Sequence, residues 1–475
     1  MTKILFLNLP AAEQITRRYM CSYPSPESLM PPLELISCAA VVRELNDVDV
    51  RLLDCIAEKK MLKDAKKEIS EYKPDFILSL SGFECIEQDI DSVKSIKDSF
   101  PDTCYIWFGH YASVFAKDIL IHSNAQFVVL GEPESIFHEL IKMLISGGDI
   151  STISGIAFLK DGDFIKNSEG VRIKNPNELP IPAYDLVGNI DNYYEPLLSK
   201  PYATIQTMRG CPYSCSYCVK SYGSRLTQLS TERIIEEIKF LQQTHNIKAI
   251  RFIDDTFTIN KLRVINICEQ ILEQNINIQW VCLSRTDTLD EEMIKHMKKA
   301  GCKRIYFGVE SGSQRFLDIL GKGVNVKEAI QTLLLCRKAG IETAGFFLSG
   351  HPEETAEDNA LSIQFAIEAK LNFIAINPIQ AYPGTPYYEQ VKDNIDFSFY
   401  PYKNEWKKGL KDPQFDVYKN RLYAGFYWRW SFVKNNAVLL LTNMHKMVPM
   451  TIDFFRYMLW DKKFVIGGIK GKQDI

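Results

Sequence analysis

Apolar runs of five to seven residues alternate along this chain with longer segments of helical period, and the alternation begins at the N-terminus. The first runs are 3–9 (KILFLNL), 48–53, 75–80, 104–108 and 126–130, with helical periodicity in Leu33 to Leu45 and Ile86 to Phe100 between them. Strands alternating with helices at this spacing predict an α/β fold, a doubly wound Rossmann-like parallel sheet over residues 1–150. Such sheets bind ligands beyond the C-terminal ends of their strands, at the point where strand order reverses. The loops of interest are therefore Asn8 to Met30, Ser81-Gly82-Phe83, Gly109-His110-Tyr111 and Gly131-Glu132-Pro133.

Residues 151–201 break the pattern. A charged turn (Lys160-Asp161-Gly162-Asp163) is followed by Asn175-Pro176-Asn177-Glu178-Leu179-Pro180-Ile181-Pro182-Ala183, whose prolines exclude a helix and predict an extended linker. From residue 202 the alternation restarts, with strands expected at 203–208, 249–253, 278–283, 304–309, 342–348 and 373–380. The helix between the first two spans Ser230 to His245, with Ser230 or Thr231 as its N-cap. Six strand-helix units over 202–390 predict a partial (β/α)6 barrel whose chemistry sits at the C-terminal strand ends. Polar residues gather there: Asp254-Asp255, Arg285 and Asp287, Glu310-Ser311-Gly312, Gly350-His351-Pro352-Glu353-Glu354, and Tyr382-Pro383-Gly384-Thr385. Residues 391–475 read as a helical C-terminal domain.

The sharpest chemical signal follows the first barrel strand. Cys211, Cys215 and Cys218 stand at the spacing CxxxCxxC in Arg209-Gly210-Cys211-Pro212-Tyr213-Ser214-Cys215-Ser216-Tyr217-Cys218. Three thiolates at that pitch hold three irons of a [4Fe-4S] cubane and leave the fourth open to a ligand. A structural zinc site needs four ligands, and no further Cys or His lies close by.

With an aromatic residue before the last cysteine, this motif resembles the signature of the radical S-adenosylmethionine (SAM) enzymes. The resemblance implies that SAM chelates the open iron and is cleaved to methionine and a radical able to remove hydrogen from unactivated carbon. It assigns Glu310 to the SAM ribose, Asp255 to the neighbourhood of the amine, Arg285 to the methionyl carboxylate and the backbone of Tyr217 to the adenine. It also implies a reductant of the flavodoxin or ferredoxin kind. The bland alternatives are a helix cap for Asp254 or Asp255 and a structural ion pair for Arg285.

The N-terminal sheet in turn resembles a cobalamin-binding domain. Ser81-Gly82-Phe83 stands where that family has its SxL element, Gly109 in its GG element, and Val129-Leu130-Gly131-Glu132-Pro133-Glu134 looks like its VxGExE ending. Small residues there would let the backbone approach a corrin. The chain departs from the pattern in lacking DxHxxG after the first strand, so no lower histidine ligand to cobalt is offered, and in having His110 where a second glycine is usual. Ser81, Gly82, Gly109, His110, Gly131 and Glu132 are the expected cobalamin residues. Together the resemblances cover about residues 1–390 and identify a cobalamin-dependent radical SAM enzyme. The reaction they imply first is C-methylation of an unactivated carbon in a small or hydrophobic metabolite. Radical cyclisation or rearrangement would use the same cofactors. A methylthiotransferase acting on RNA or protein would need a second cluster on three of Cys21, Cys38, Cys55, Cys85 and Cys104.

Composition bounds this reading. A chain of 475 residues, 46% hydrophobic and 24% charged, fits two or three globular domains with large cores. It shows no signal peptide and no apolar run long enough for a bilayer span, which predicts a cytoplasmic protein. Nine of the twelve cysteines lie outside the motif, mostly in apolar elements, and are expected to be reduced core residues. From residue 401 onward 14 Lys/Arg face 6 Asp/Glu, a net +8, so the remainder carries −11. The aromatic stretches Tyr423 to Trp430 and Ala437 to Trp460 are expected to form helices packed over the barrel mouth. The sharper alternative is a basic amphipathic contact with a membrane surface, suited to a lipid-like substrate. Nothing resembles an RNA-binding module.

Overall fold

The computed structural model describes residues 1–475 apart from 26, 171, 408–414 and 437–475. The Ala437 to Trp460 stretch thus lies outside the described residues.

Five parallel strands build the N-terminal sheet in the order Val48–Asp54, Thr2–Asn8, Phe76–Leu80, Cys104–Phe108, Phe127–Val129. They are apolar on both faces because both faces are covered. Ile4 and Phe6 pack with the helices Leu33–Val42 and Pro133–Ser146, while Leu5 and Leu7 face the helices Leu62–Tyr72 and Ile86–Ser99. Strand order reverses between Thr2–Asn8 and Phe76–Leu80, which places the switch point at Asn8 and Ser81. The sheet continues past residue 150, where Ile156–Lys160 and Asp163–Lys166 add two antiparallel strands around the charged turn.

The second sheet has six parallel strands in chain order: Tyr202–Ile205, Ala249–Phe252, Gln279–Ser284, Cys302–Glu310, Glu342–Ser349 and Phe373–Pro378. This is the expected partial barrel. Ser230 caps the helix Thr231–His245, its Oγ accepting from Arg233 N at 3.2 Å. Seven of the nine non-motif cysteines are buried, and Cys21 and Cys104 are half-buried.

The strands Ile156–Lys160 and Asp163–Lys166 lie where a linker is expected, and two further segments depart from expectation. The C-terminal region opens as an antiparallel hairpin, Ile395–Ser398 with Lys403–Trp406, not as a helix. Its aromatic residues dictate this: Phe397 stacks on Phe83 at 5.9 Å, Phe399 on Phe115 at 4.8 Å, and Tyr402 meets Phe83 edge-on at 4.8 Å. The helix Phe415–Tyr427 begins beside Gly350 and runs along the last barrel strand, so it closes the barrel's edge and does not lie across its mouth. The hydroxyls of Tyr423 and Tyr427 accept from the edge amides of Ile376 (3.3 Å) and Ile374 (3.1 Å), satisfying donors that a sheet edge otherwise exposes. Among the described residues no helix is long and apolar enough to cross a membrane.

The second segment is a short hairpin, Ile15–Arg17 with Ser22–Pro24, in the loop after the first strand. It is seated on Gly82, where an added Cβ would stand 2.1 Å from Ser22 Oγ and 2.3 Å from Ser22 N. Gly82→Ala is therefore expected to lower unfolding stability by about 1–3 kcal/mol, the usual cost of overpacking. It should also raise amide hydrogen exchange across residues 15–24. A variant with native exchange in that segment would show that the seat does not hold the hairpin.

Candidate active site

The cluster loop hangs from the first barrel strand and is closed by the two-residue pairing of Met208–Arg209 with Thr227–Gln228. Asp254, fully buried, fixes its entrance by accepting from Thr207 N at 2.6 Å, from Thr207 Oγ1, and from Met208 N at 3.0 Å. Arg263 holds the same threonine through its carbonyl (3.0 Å) and hydroxyl (2.6 Å). Asp254 is thus an anchor of the loop. Within the loop, Ser216 N donates to Leu320 O at 3.0 Å and Cys211 N to Gly223 O at 3.1 Å. Cys211, Cys215 and Cys218 are carried on this frame, Cys215 buried and the other two half-buried.

Around the loop stand the residues expected to hold SAM. Glu310 ends its strand at φ +65°, where the pairing with the next strand shifts register. A non-glycine residue in the left-handed region costs about 1–3 kcal/mol and is found where surrounding structure enforces it, often at functional sites. Its buried carboxylate pairs with Lys322 Nζ at 2.9 Å. Burial, with the Glu310 charge close by, pushes the Tyr217 phenol well above its ordinary value, so the Tyr217 side chain lies near this corner. Asp255 lies beside Asp254, and its carboxylate has no hydrogen-bond partner among the described residues. Burial pushes it up to about 6, with Arg18 pulling down and Asp254 pushing up.

Arg285 is committed within the chain. Its Nε and Nη2 donate to Asp287 at 2.9 and 2.8 Å, Nη2 also to Lys322 O at 2.8 Å, Nη1 approaches Cys215 Sγ at 3.8 Å, and the guanidinium lies 3.7 Å from the Tyr213 ring centroid. The structure thus places Arg285 as a brace of the cluster loop.

The expected cobalamin residues split into two groups. Ser81, Gly82 and Gly109 lie beneath the hairpin. Ser81 Oγ donates to Asp89 at 2.7 Å, Gly82 touches Ser22, and Gly109, at φ +125°, has a Cα whose added Cβ would stand 2.7 Å from Ser81 O. Their small size admits the chain's own hairpin. Gly131, at φ +91°, faces open space, since an added Cβ would meet nothing within 4 Å. His110 N donates to Tyr19 O at 2.9 Å, and the half-buried imidazole, pulled down to about 4 by burial, has no hydrogen-bond partner among the described residues. Glu132 is not free for a corrin: it takes Arg209 at 2.9 Å and Arg172 at 3.1 Å.

A barrel whose strand ends present a three-thiol loop, a buried carboxylate with a left-handed backbone and an unpartnered aspartate defines a radical SAM enzyme. The model of the Radical SAM superfamily matches residues 205–366. The chain is 32% identical over 389 residues to the uncharacterized methyltransferase PH0819 of Pyrococcus horikoshii, covering 81% of this chain and 82% of that one. It is 28% identical over 383 residues to the hopanoid C-3 methylase of Methylococcus capsulatus, covering 78% and 71%. In fold it is similar to the solved cobalamin-dependent SAM radical enzyme OxsB with aqua-cobalamin and SAM bound, with TM-score 0.73 and 18% identity over 89% of this chain and 66% of that one. The chain belongs to the radical SAM superfamily.

The residues can be tested against the cluster and SAM of that superfamily and against a corrin such as the solved OxsB holds. The donor set of the loop fits a cubane: three thiols on one braced segment, with no fourth. Among the described residues no group of three or more His, Cys, Asp or Glu converges on a single metal ion, which bears on one-ion sites, because cubane ligands each bind a different iron. The Glu310 corner and Asp255 fit the hydroxyls and ammonium of SAM. On the sheet side the fit is confined to Gly131 and His110; the hydroxyls of Ser22 on the hairpin and of Tyr111, next to His110, are buried without partners. Three residues escape a reading of the sequence: Lys322, Tyr213 and Arg209. Lys322 had a signal, since it stands between Gly321 and Gly323, both at positive φ. Arg209 and Tyr213 lie inside the motif itself.

The raised carboxyl of Asp255 gives a signed pH dependence. Because the folded chain holds this proton more tightly than the unfolded chain, the group's contribution is fully present below about pH 3.8 and is lost as pH rises through about 6. Asp255→Asn should remove that loss, so its stability relative to the natural protein rises between those values, followed by thermal unfolding across pH. The same variant should bind SAM roughly tenfold more weakly if the carboxylate meets the ammonium. Unchanged affinity by equilibrium dialysis would remove Asp255 from that role.

Proposed function

We propose that this enzyme transfers a methyl group to an unactivated carbon of a small or hydrophobic metabolite. One observation carries the reading: the C-terminal strand ends of the two sheets face each other across one hairpin. The tip residue Tyr19 reaches Gly131 O with its hydroxyl (2.5 Å) and stacks on Tyr222 of the cluster loop (4.8 Å), while Arg18 lies in the field of Asp255. A corrin against the first sheet and SAM against the second would share one chamber.

In that chamber Cys211, Cys215 and Cys218 would hold the cluster, Glu310 and Asp255 would orient SAM, and Gly131 and His110 would border the corrin. When bound, these groups supply a radical that activates the substrate carbon and a methyl group to place on it. The chain's own contribution is to fix geometry and exclude water. Asp254, Arg263 and Arg285 hold the loop, and Tyr111, Tyr382 and Tyr402 surround Glu84, whose carboxylate accepts from Tyr382 and from Ser22 N at 3.1 Å. Aromatic bodies with polar tips suit a substrate with an apolar frame. The exposed Trp428 and Trp430, 68% and 82% accessible and separated by Arg429, support a peripheral contact with a lipid surface. Cys38 and Cys55 are packed in cores on opposite faces of the sheet, so a methylthiotransferase's second cluster could not use both.

The test is an untargeted mass comparison of lipid and polar extracts from anaerobic cells supplied with cobalamin, carrying either the intact protein or Cys215→Ala. A metabolite heavier by one CH₂ with the intact protein is expected, and the variant should not cleave SAM. A product that has lost two hydrogens without gaining carbon would replace methylation by ring closure.

A further inference from the structure

The cluster loop is gripped at both ends by two carboxylates of the N-terminal sheet. Arg209, two residues before the first motif cysteine, donates through Nη1 to Glu132 at 2.9 Å and to Glu134 at 3.1 Å, and through Nη2 to the other oxygen of Glu134. Its Nε donates to Gln206 at 3.0 Å, and the guanidinium lies over the Tyr222 ring at 5.0 Å. At the exit of the loop, Arg172 donates to Glu132 at 3.1 Å and to Arg225 O at 2.8 Å. Entrance and exit are themselves in contact, since a Cβ on Gly210 would stand 2.3 Å from Arg225 O.

The carboxylates stand at the start of the fourteen-residue helix Pro133–Ser146, Glu132 at its N-cap and Glu134 in its first turn, where the helix dipole favours negative charge. Both are 4% exposed, and Arg209 is 11% exposed. An apolar contact of the same size would hold two domains together at least as well, because charges lose hydration on burial. A bidentate fork adds direction, since it fixes the orientation of the loop that carries it.

We propose that Arg209 is a positioning residue: held by Glu132 and Glu134, it sets the orientation of the iron-binding loop against the strand ends of the N-terminal sheet. It touches neither substrate nor cofactor and acts through Cys211. This rests on the cluster reading of the loop.

The test uses the full chain loaded with iron and sulfide, as Arg209→Lys and as Glu134→Gln. Lysine keeps the charge and loses the fork, whereas glutamine keeps an acceptor and loses the charge. Both variants should retain the circular dichroism of the natural protein. The electron paramagnetic resonance of the reduced cluster should be displaced and broadened in each, and iron should pass to a chelator roughly tenfold faster, since breaking a buried pair is costly. Arg43→Ala, which removes an exposed ion pair with Asp185 between the first helix and the linker, should move neither. Spectra and iron release that superimpose on the natural protein, or an equal change in Arg43→Ala, would overturn the proposal. Should Arg209→Lys fail to fold, Glu134→Gln decides alone. A natural chain that takes up no iron would overturn the cluster reading and the positioning role together.

Discussion

The arrangement of this protein depends on three buried charges. Arg209 from the barrel and Glu132 and Glu134 from the sheet meet where little water reaches them. Such a contact survives only if its hydrogen bonds are nearly complete, because each ion has given up its hydration. The consequence is geometric. The residue that begins the cluster loop is tied to the residues that follow Gly131, so the strand ends of the two sheets are opposed within the reach of one loop.

The space between the strand ends is crowded by the chain's own hairpin, and the crowding is imperfect. Thr16 Oγ1 and Ser22 Oγ on the hairpin, Glu34 Oε2 beside it, and Tyr111 Oη on the facing loop are buried without partners. A polar atom in that condition costs about 1–3 kcal/mol. Other buried groups are well met, as Asp254 is around Thr207 and as Tyr184 is with Thr204, but the condition is not confined to the hairpin: Arg263 Nε and Nη1 and the hydroxyls of Tyr202 and Tyr387 are also buried without partners. Around the hairpin, however, the unmet atoms border the space between the strand ends, and a ligand rich in polar groups would find partners there.

The fold was legible because a sheet covered on both faces writes itself as continuous apolar runs. The run at 104–108 is the strand Cys104–Phe108 to the residue, and the fifth barrel strand ends one residue beyond its expected limit. The cysteine motif was legible for a different reason: its spacing is local, and so is the chemistry it permits. Glu132 was not. Its sequence neighbours suggest a loop facing a ligand, and its partner, Arg209, is 77 residues away. The hairpin at 15–24 was hidden because its sequence, ITRRYMCSYP, alternates weakly and is held by contacts with Gly82, Tyr222 and Gly131 that only the folded chain brings together. Arg285 stands between these cases. Asp287 two residues on was visible as an ion-pair partner, but the carbonyl of Lys322 and the ring of Tyr213 were not.

A barrel of this kind supports many reactions, and so does a doubly wound sheet; neither fold names a substrate. What narrows the chemistry is their junction. Arg209 stands two residues before Cys211, and its partners stand one and three residues beyond Gly131, the one glycine of the expected corrin surface that faces open space. Anything bound against Gly131 is thereby connected to the iron-binding loop through side chains that have no freedom to turn away. A carrier of electrons would gain nothing from such a connection. An enzyme that must bring a methyl donor and a radical source to the same carbon requires it, because an error of about 1 Å in their relative placement is enough to cost about two orders of magnitude in rate.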